Sequence, residues 1–596
     1  MTIVRQTLAA VLVGTLSAAA QAEEREEYLK VKKSTFTNLI GLLVQRGVLE
    51  QKDAKGLISE AEEEAKAGTE RQQARSSEPT SASPKDQAGP GRAEPTAQGG
   101  KGGKQASSKY VAYVPEFVKQ EIRDQVRAEL KDDVLKDVKQ TAKNEKWGIP
   151  DALPGWISRI NPYFDMRLRV ADDFYESSNA QYFDWLNINR DGGISQAMAK
   201  NEAFLNTTVD RLRLRERFRL GFDAKITEGL TAGFRFATSN MYNPVSNNQT
   251  LGNTGQSWAF AIDRAFLQYD FVDQAGKDWF SLYGGRIPNP FVSTDVVYDP
   301  DLSFEGFAGT FRWNFGDHVP DPHSYRRVTQ SGPFGVNLGP QHPNTIFATA
   351  GAFPIQEINF STQDKWLFGF QLGGDWLFND EARFKIAGSY YDYENISAKR
   401  NSFESLEYDY TAPQFMQKGN SLVAINDAKN QPACNSGVLG SQNVCLVGLA
   451  SGFKIVNATA MFDYSHFAPI HAMLTADYAK NLGFDQDKIL REFGDSIQAR
   501  TNAYQVRLDV GRKELNHFLD WNMYFAYRYI ERDAVLDAFT DSVFHQGGTD
   551  AKGWVLGAQF GLATNTWLNF RWFSTNSIND PPLSINILTA DLNARF

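Results

Sequence analysis

The segment DRLRLRERFRLGFDAKI, Asp210 to Ile226, sets arginine at every second position from Arg211 through Arg213, Arg215 and Arg217 to Arg219. Leu212, Leu214, Phe218, Leu220 and Phe222 fill most of the places between. A guanidinium is a permanent cation whose paired N–H donors fit carboxylates and phosphates, so a row of them can orient or select anions. Successive side chains of an extended chain point to opposite faces, which puts the arginines before one medium and the apolar residues before another. A sheet facing bulk water needs no such concentration of one sign, whereas a strand between lipid and an aqueous lumen would show it. Asp165, Arg167 and Arg169 alternate with Phe164, Met166, Leu168 and Val170 in the same way, and Arg235, Arg264 and Arg286 extend the cationic series. Asp375, Asp463, Asp477, Asp509 and Asp591 hold matching positions further along. The pattern predicts a cationic wall facing a carboxylate wall, with a transverse field across the water between them. A purely structural reading stands beside it, in which the arginines are locked to carboxylates such as Glu216 or Asp223, or to inserted loops. Glu216 has the parity of the lipid face, where a charge is tolerated near a rim or if a bulge redirects it.

Other chemistries find little support. The seven histidines form no H-E-x-x-H pair, and neither a G-x-S-x-G elbow nor a phosphate-binding G-x-x-x-x-G-K-[ST] loop occurs. Asp317, His318, Asp321 and His323 could surround a metal, but two prolines in DHVPDPH read as a solvated loop, so no metal and no cofactor is expected. A formal net charge of −9, with basic residues alternating with apolar ones, argues against nucleic acid. The only cysteines, Cys434 and Cys445, are expected to form a loop disulfide in an exported chain.

The elements that must position these residues follow from periodicity. Mean hydropathy is −0.42 and no stretch beyond the first twenty residues is apolar for 18 positions, which excludes transmembrane helices. Residues 1–22, with Arg5, an apolar stretch and Ala20-Gln21-Ala22, read as a cleaved secretory signal. Residues 23–67 read as a short helical pair and 68–108, rich in Ser, Pro, Gly and charge, as a disordered linker. Residues 109–147 read as an amphipathic helix with Val118, Ile122, Val126, Leu130, Val134 and Val138 at spacings of four. It either self-associates as a coiled coil or lies at the mouth or in the lumen of the following domain.

From residue 156 to 596 the period becomes two, and about sixteen strands can be placed. Their connectors alternate between long and short, as in bacterial barrels; the exception is 316–344, long where parity calls for a short turn, which implies a missed strand pair or a structured plug. The tail LTADLNARF ends inside an alternating strand on Phe596.

The segments TNLIGLLVQRGVL, YVPEFVKQEIRDQVRAEL, RLRLRERFRLGFDAKI, GFRFATSN, IDRAFLQYD, YGGRIPNPF and LNARF together resemble the Putative porin family of proteobacterial outer membranes. The resemblance covers most of the chain after residue 22. It implies an all-β, sixteen-stranded transmembrane antiparallel barrel with an α-helical periplasmic extension, and a channel for small hydrophilic solutes. It also implies contact with outer-membrane lipid, a homotrimer, and Phe596 as the signal read by the barrel assembly machinery. The helical prelude suggests contact with peptidoglycan, and hence a second reading: an envelope tether whose barrel is a largely plugged anchor.

Overall fold

The computed structural model describes residues 159–596 apart from 239–241, 275–276, 316–342, 360, 379–380, 428–443 and 580. The expected signal, helical pair, linker and amphipathic helix lie outside the described residues, as do Cys434 and the Asp317 to His323 cluster.

Sixteen strands carry the architecture: β1 (Ile160–Tyr175), β2 (Arg211–Thr227), β3 (Leu230–Thr238), β4 (Phe260–Val272), β5 (Asp278–Pro288), β6 (Ser303–Asn314), β7 (Thr345–Gln356) and β8 (Lys365–Phe378), followed by β9 (Ala382–Glu394), β10 (Phe453–Tyr464), β11 (His471–Asn481), β12 (Asn502–Gly511), β13 (Trp521–Ile530), β14 (Ala551–Ala563), β15 (Thr566–Ser577) and β16 (Ser584–Arg595). Each pairs antiparallel with its neighbours in sequence, and β1 also pairs with β16 from Asp165↔Arg595 to Tyr175↔Ile585. The sheet therefore closes and leaves no barrel edge, which satisfies the backbone within hydrocarbon. Phe596 completes the seam: its N–H donates to the Phe164 carbonyl at 2.9 Å and its ring lies 5.7 Å from that of Phe164.

Alternation sorts the side chains as period two requires. Leu168, Leu212, Leu282, Phe311, Leu372, Phe525 and Leu588 are exposed on the outer face, while Arg169, Arg312, Gln371, Asp477 and Asp591 are buried inside. One rim carries tight turns. Between β2 and β3 only Glu228 and Gly229 intervene; Gly229 adopts φ +75°, and a Cβ there would come within 2.6 Å of the Asp270 carbonyl oxygen. Among the described residues, the far rim carries the long connections 176–210, 242–259, 395–427 with 444–452, 482–501 and 531–550. The first holds α1 (Trp185–Asp191) and α2 (Ile194–Ala199), the 482–501 connection holds α3 (Gln486–Phe493), and 395–452 holds the small hairpin Leu422–Asn426 with Leu446–Leu449.

Phe315 and Asn344, at the ends of the long connection, meet on the tight-turn rim, where the Phe315 N–H donates to the Asn344 carbonyl at 3.0 Å. β6 and β7 pair directly from Phe307↔Ala352 to Asn314↔Thr345, so no strand pair is missing from the wall between them.

The core sits inside the barrel, towards the far rim. Phe266, Tyr283, Phe304, Phe353, Leu367, Tyr391 and Phe453 point inward from the wall and pack against Phe291, Val296, Val297 and Tyr298 of segment 289–302 and against Val535 and Leu536 of segment 531–550. Segment 289–302, between β5 and β6, thus folds into the lumen. Cross-strand partners Gly285 and Gly306, with φ +116° and +134°, flank it. A Cβ on either would meet a neighbouring carbonyl oxygen within 2.4 Å, so only glycine allows both strands to adopt this backbone where the segment departs from the wall.

Candidate channel constriction

The arginine row of β2 lies on the inward face. Its register with β1 is continuous and sets Arg219 opposite Asp165, Arg217 opposite Arg167, Arg215 opposite Arg169, Arg213 opposite Ala171 and Arg211 opposite Asp173. Like charges directly across a ladder repel, so acids must be brought to them. Asp165 accepts from Arg217 at 2.9 Å and from Arg219 at 2.6 Å. Asp301 of the inserted segment is shared by the same two arginines at 3.2 and 3.1 Å. Arg169 grips Asp591 of β16 with two bonds of 2.6 and 2.7 Å, and Arg571 of β15 approaches the same carboxylate at 3.5 Å. Arg167 donates to Asn248 at 2.5 Å, and Arg213 pairs with Asp173.

The rest of the cationic series divides. Arg235 and Arg264 point inward: strand β4 carries one extra residue at Asp263, since Arg235 pairs with Arg264 and Phe236 with Ile262, and the displaced Asp263 meets Arg235 at 2.6 Å. Arg286 is a correction. It is the cross-strand partner of Ala265 and Glu305, shares the parity of Phe280 and Leu282, and so stands on the outward face, paired with Glu305. Its place near the far-rim end of β5, with an acid beside it, makes that position tolerable. Glu216 also keeps its outward parity without any bulge. It lies opposite Leu168 and beside Gln249, on the far-rim side of the last β2–β3 pair, Arg219↔Ala237.

The expected acidic series keeps its inward parity, but each member is engaged close by. Asp375 is bound by Arg383 and Lys385, Asp463 by Lys513 and His471, and Asp509 by Arg507. Asp477 accepts from Thr294 at 2.6 Å and from Asn457 at 2.5 Å. All four point inward but are neutralised or hydrogen-bonded where they stand, because a buried carboxylate without a local partner is costly. The inserted segment, NPFVSTDVVYDPDL, adds one acid, Asp301, to the wall acids Asp165, Asp173 and Asp591 that meet the β1–β2 arginines; the strand pattern singled out neither it nor its neighbours Asp295 and Asp299.

Segment 289–302 crosses the lumen from one wall to the other. On one side the Val292 N–H donates to Gln371 of β8 at 2.9 Å and Gln371 returns a bond to the Val292 carbonyl at 2.8 Å. Asp295 pairs with Arg528 of β13 at 2.6 Å, and Asp301 reaches β2 on the other side. Segment 531–550 braces it, since the Asp299 N–H donates to the Phe539 carbonyl at 2.7 Å and the Ser542 N–H to the Asp299 carboxylate at 2.9 Å.

Between segment 289–302 and the walls lies a cavity of about 220 Å³. Arg167, Arg169, Arg217, Arg507, Arg528 and Arg571 line it together with Asp295, Asp299, Asp301, Asp541 and Asp591. Burial raises Asp301, but Arg217 and Arg219 outweigh it and hold its carboxyl below the usual range. Burial, with Asp301 and Asp541 adding repulsion, pushes Asp299 well above that range. Six guanidiniums against five carboxylates leave the lining with an excess of basic groups. Of the residues the sequence singled out, Arg167, Arg169, Arg217 and Asp591 meet here; Arg507, Arg528 and Arg571 join them, and only their inward parity on β12, β13 and β15 could have signalled it.

Residues 33–596 match the sequence pattern of the family described as Putative porin. No curated protein matches the chain. Among solved structures, OprB of Pseudomonas putida at high pH is similar at 12% identity with a TM-score of 0.39, over 76% of this chain and 97% of that one. The outer membrane channel DcaP of Acinetobacter baumannii gives 11% and 0.34, over 73% and 97%. OmpF of Salmonella typhi, solved with daunomycin, gives 10% and 0.34 over the same shares. Likeness at that level bears on neither solute nor assembly.

Proposed function

This chain belongs to the Putative porin family, and from that premise we propose that its barrel passes small hydrophilic solutes, anions in preference to cations, by passive diffusion across the outer membrane. The observation that carries the reading is the cavity between segment 289–302 and the walls, where six guanidiniums meet five carboxylates. In such a low-dielectric passage a modest charge excess acts strongly on a permeant ion. Replacing Arg167 and Arg217 together by Gln is expected to lower the chloride-to-potassium permeability ratio roughly twofold or more. Reversal potentials in planar bilayers measure this, and an unchanged ratio would remove both arginines from the ion path.

Several associations belong to the same proposal. Residues 1–22 act as a secretory signal, and the helices of 23–67 and 109–147, joined by the 68–108 linker, stand in the periplasm within reach of peptidoglycan. Phe596 guides assembly, Cys434 and Cys445 form a disulfide, and three copies associate in the lipid. The apolar core inside the barrel favours the second reading of a plugged anchor; single-channel conductance separates the two, since an anchor passes almost no current.

A further inference from the structure

A second cavity, of about 320 Å³, opens at the far-rim ends of β6, β7 and β8, where segments 395–452 and 531–550 cover the inserted segment. Its walls are mainly apolar, with Phe304, Phe353, Leu367, Phe415, Leu536 and Phe539 among them. Lys365, the first residue of β8, also lines it and is only 2% exposed. Its Nζ donates to the carbonyls of Ala412 at 3.2 Å and Thr411 at 3.5 Å, and it makes no ion pair with a carboxylate among the described residues.

Two acids share the lining, and both are engaged elsewhere. Glu305 is held by Arg286. Asp537 accepts the Gln417 N–H at 3.1 Å, and burial pushes its carboxyl up to about 7. A buried ammonium that meets two carbonyls and no anion is incompletely compensated, and an apolar hollow of this size beside it suits a small ligand with one charged end.

We propose that this cavity is a binding site for a small apolar carboxylate, an aromatic monocarboxylate, whose ring lies among the phenylalanines and leucines and whose carboxylate meets Lys365. The site lies on the far-rim side of the arginine-lined constriction, and its role as a capture point rests on the channel reading above.

Benzoate is the probe and benzyl alcohol its uncharged counterpart. Titration calorimetry on the full chain purified in detergent is expected to show saturable benzoate binding and none of benzyl alcohol. Lys365→Met should weaken the binding roughly tenfold or more, while Lys365→Arg should stay within about threefold of the parent. Leu367→Trp fills the apolar half and leaves the ammonium in place, so it tests the site even where Lys365→Met fails to fold; it too should abolish binding. Benzoate binding that survives both Lys365→Met and Leu367→Trp, or an absence of binding to the parent chain, overturns the proposal. Bilayer recordings keep the two readings apart: a chain that binds benzoate yet passes no potassium chloride current refutes the channel and leaves the site standing. A chain that conducts and does not bind benzoate does the reverse.

Discussion

Arg217 and Arg219 each divide themselves between Asp165 on the wall and Asp301 on the inserted segment, so charges that look redundant in the sequence are structural ties across the lumen. Removing one partner of a buried pair typically costs about 3 to 5 kcal/mol, because the other is left uncompensated. Asp537 shows the opposite situation. Burial, with Asp533 adding repulsion, raises its carboxyl to about 7, so the docked state keeps a proton that an exposed aspartate gives up near pH 4. Protonation therefore favours docking of 411–421 against 531–550, where Asp537 accepts the Gln417 N–H and Gln417 donates to the Asp537 carbonyl at 2.7 Å. The stabilisation is complete below about pH 4 and is lost as pH rises through 7. Amide exchange at Gln417 to Ser421, corrected for intrinsic rate, is expected to lose protection between pH 5 and 8, and Asp537→Asn to flatten that dependence. Equal slopes in the two proteins would contradict it. At this scale the sequence was legible where parity alone decides, as for Arg167, Arg169 and Arg217. It was not legible for Arg286, whose parity with Leu282 was overridden by its apparent membership in a series, nor for the acids of 289–302, which belong to no strand.

The sixteen strands were all readable, because each has one face against lipid and period two is the direct imprint of that boundary. The inward fold of 289–302 was not, since alternation names a face without saying what covers it. Phe266, Tyr283, Tyr391 and Phe453 have lumen parity, and large rings there were the one available sign that protein rather than water packs against that part of the wall. Gln371 is the hinge of this arrangement, holding both the N–H and the carbonyl of Val292. Gln371→Leu leaves two backbone groups unpaired at about 1 to 3 kcal/mol each, enough to loosen the segment while the strand itself remains paired on both sides. Single-channel recordings are expected to show larger current fluctuations and a higher mean conductance in this variant; traces like those of the parent would mean that Gln371 does not secure the segment.

At the scale of the whole molecule, closure between β1 and β16 supplies the membrane boundary, and the far-rim connections supply the filter. Three of them, 289–302, 395–452 and 531–550, mesh through Asp299 with Ser542 and through Asn420 with Asp537, so the passage is set by loops clamped to a rigid wall. That division explains why periodicity marks the wall, which borders lipid along its length, and not the constriction, which is built from loops without a period. Segment 289–302 crosses the lumen and is expected to set the width of the conducting passage. Single-channel conductance in planar bilayers, compared between the full chain and a variant with 290–301 replaced by a short glycine-serine turn, tests it most directly. A small, finite conductance for the parent and one several times larger for the variant are expected; equal conductances, or a parent that passes no current, would contradict the account.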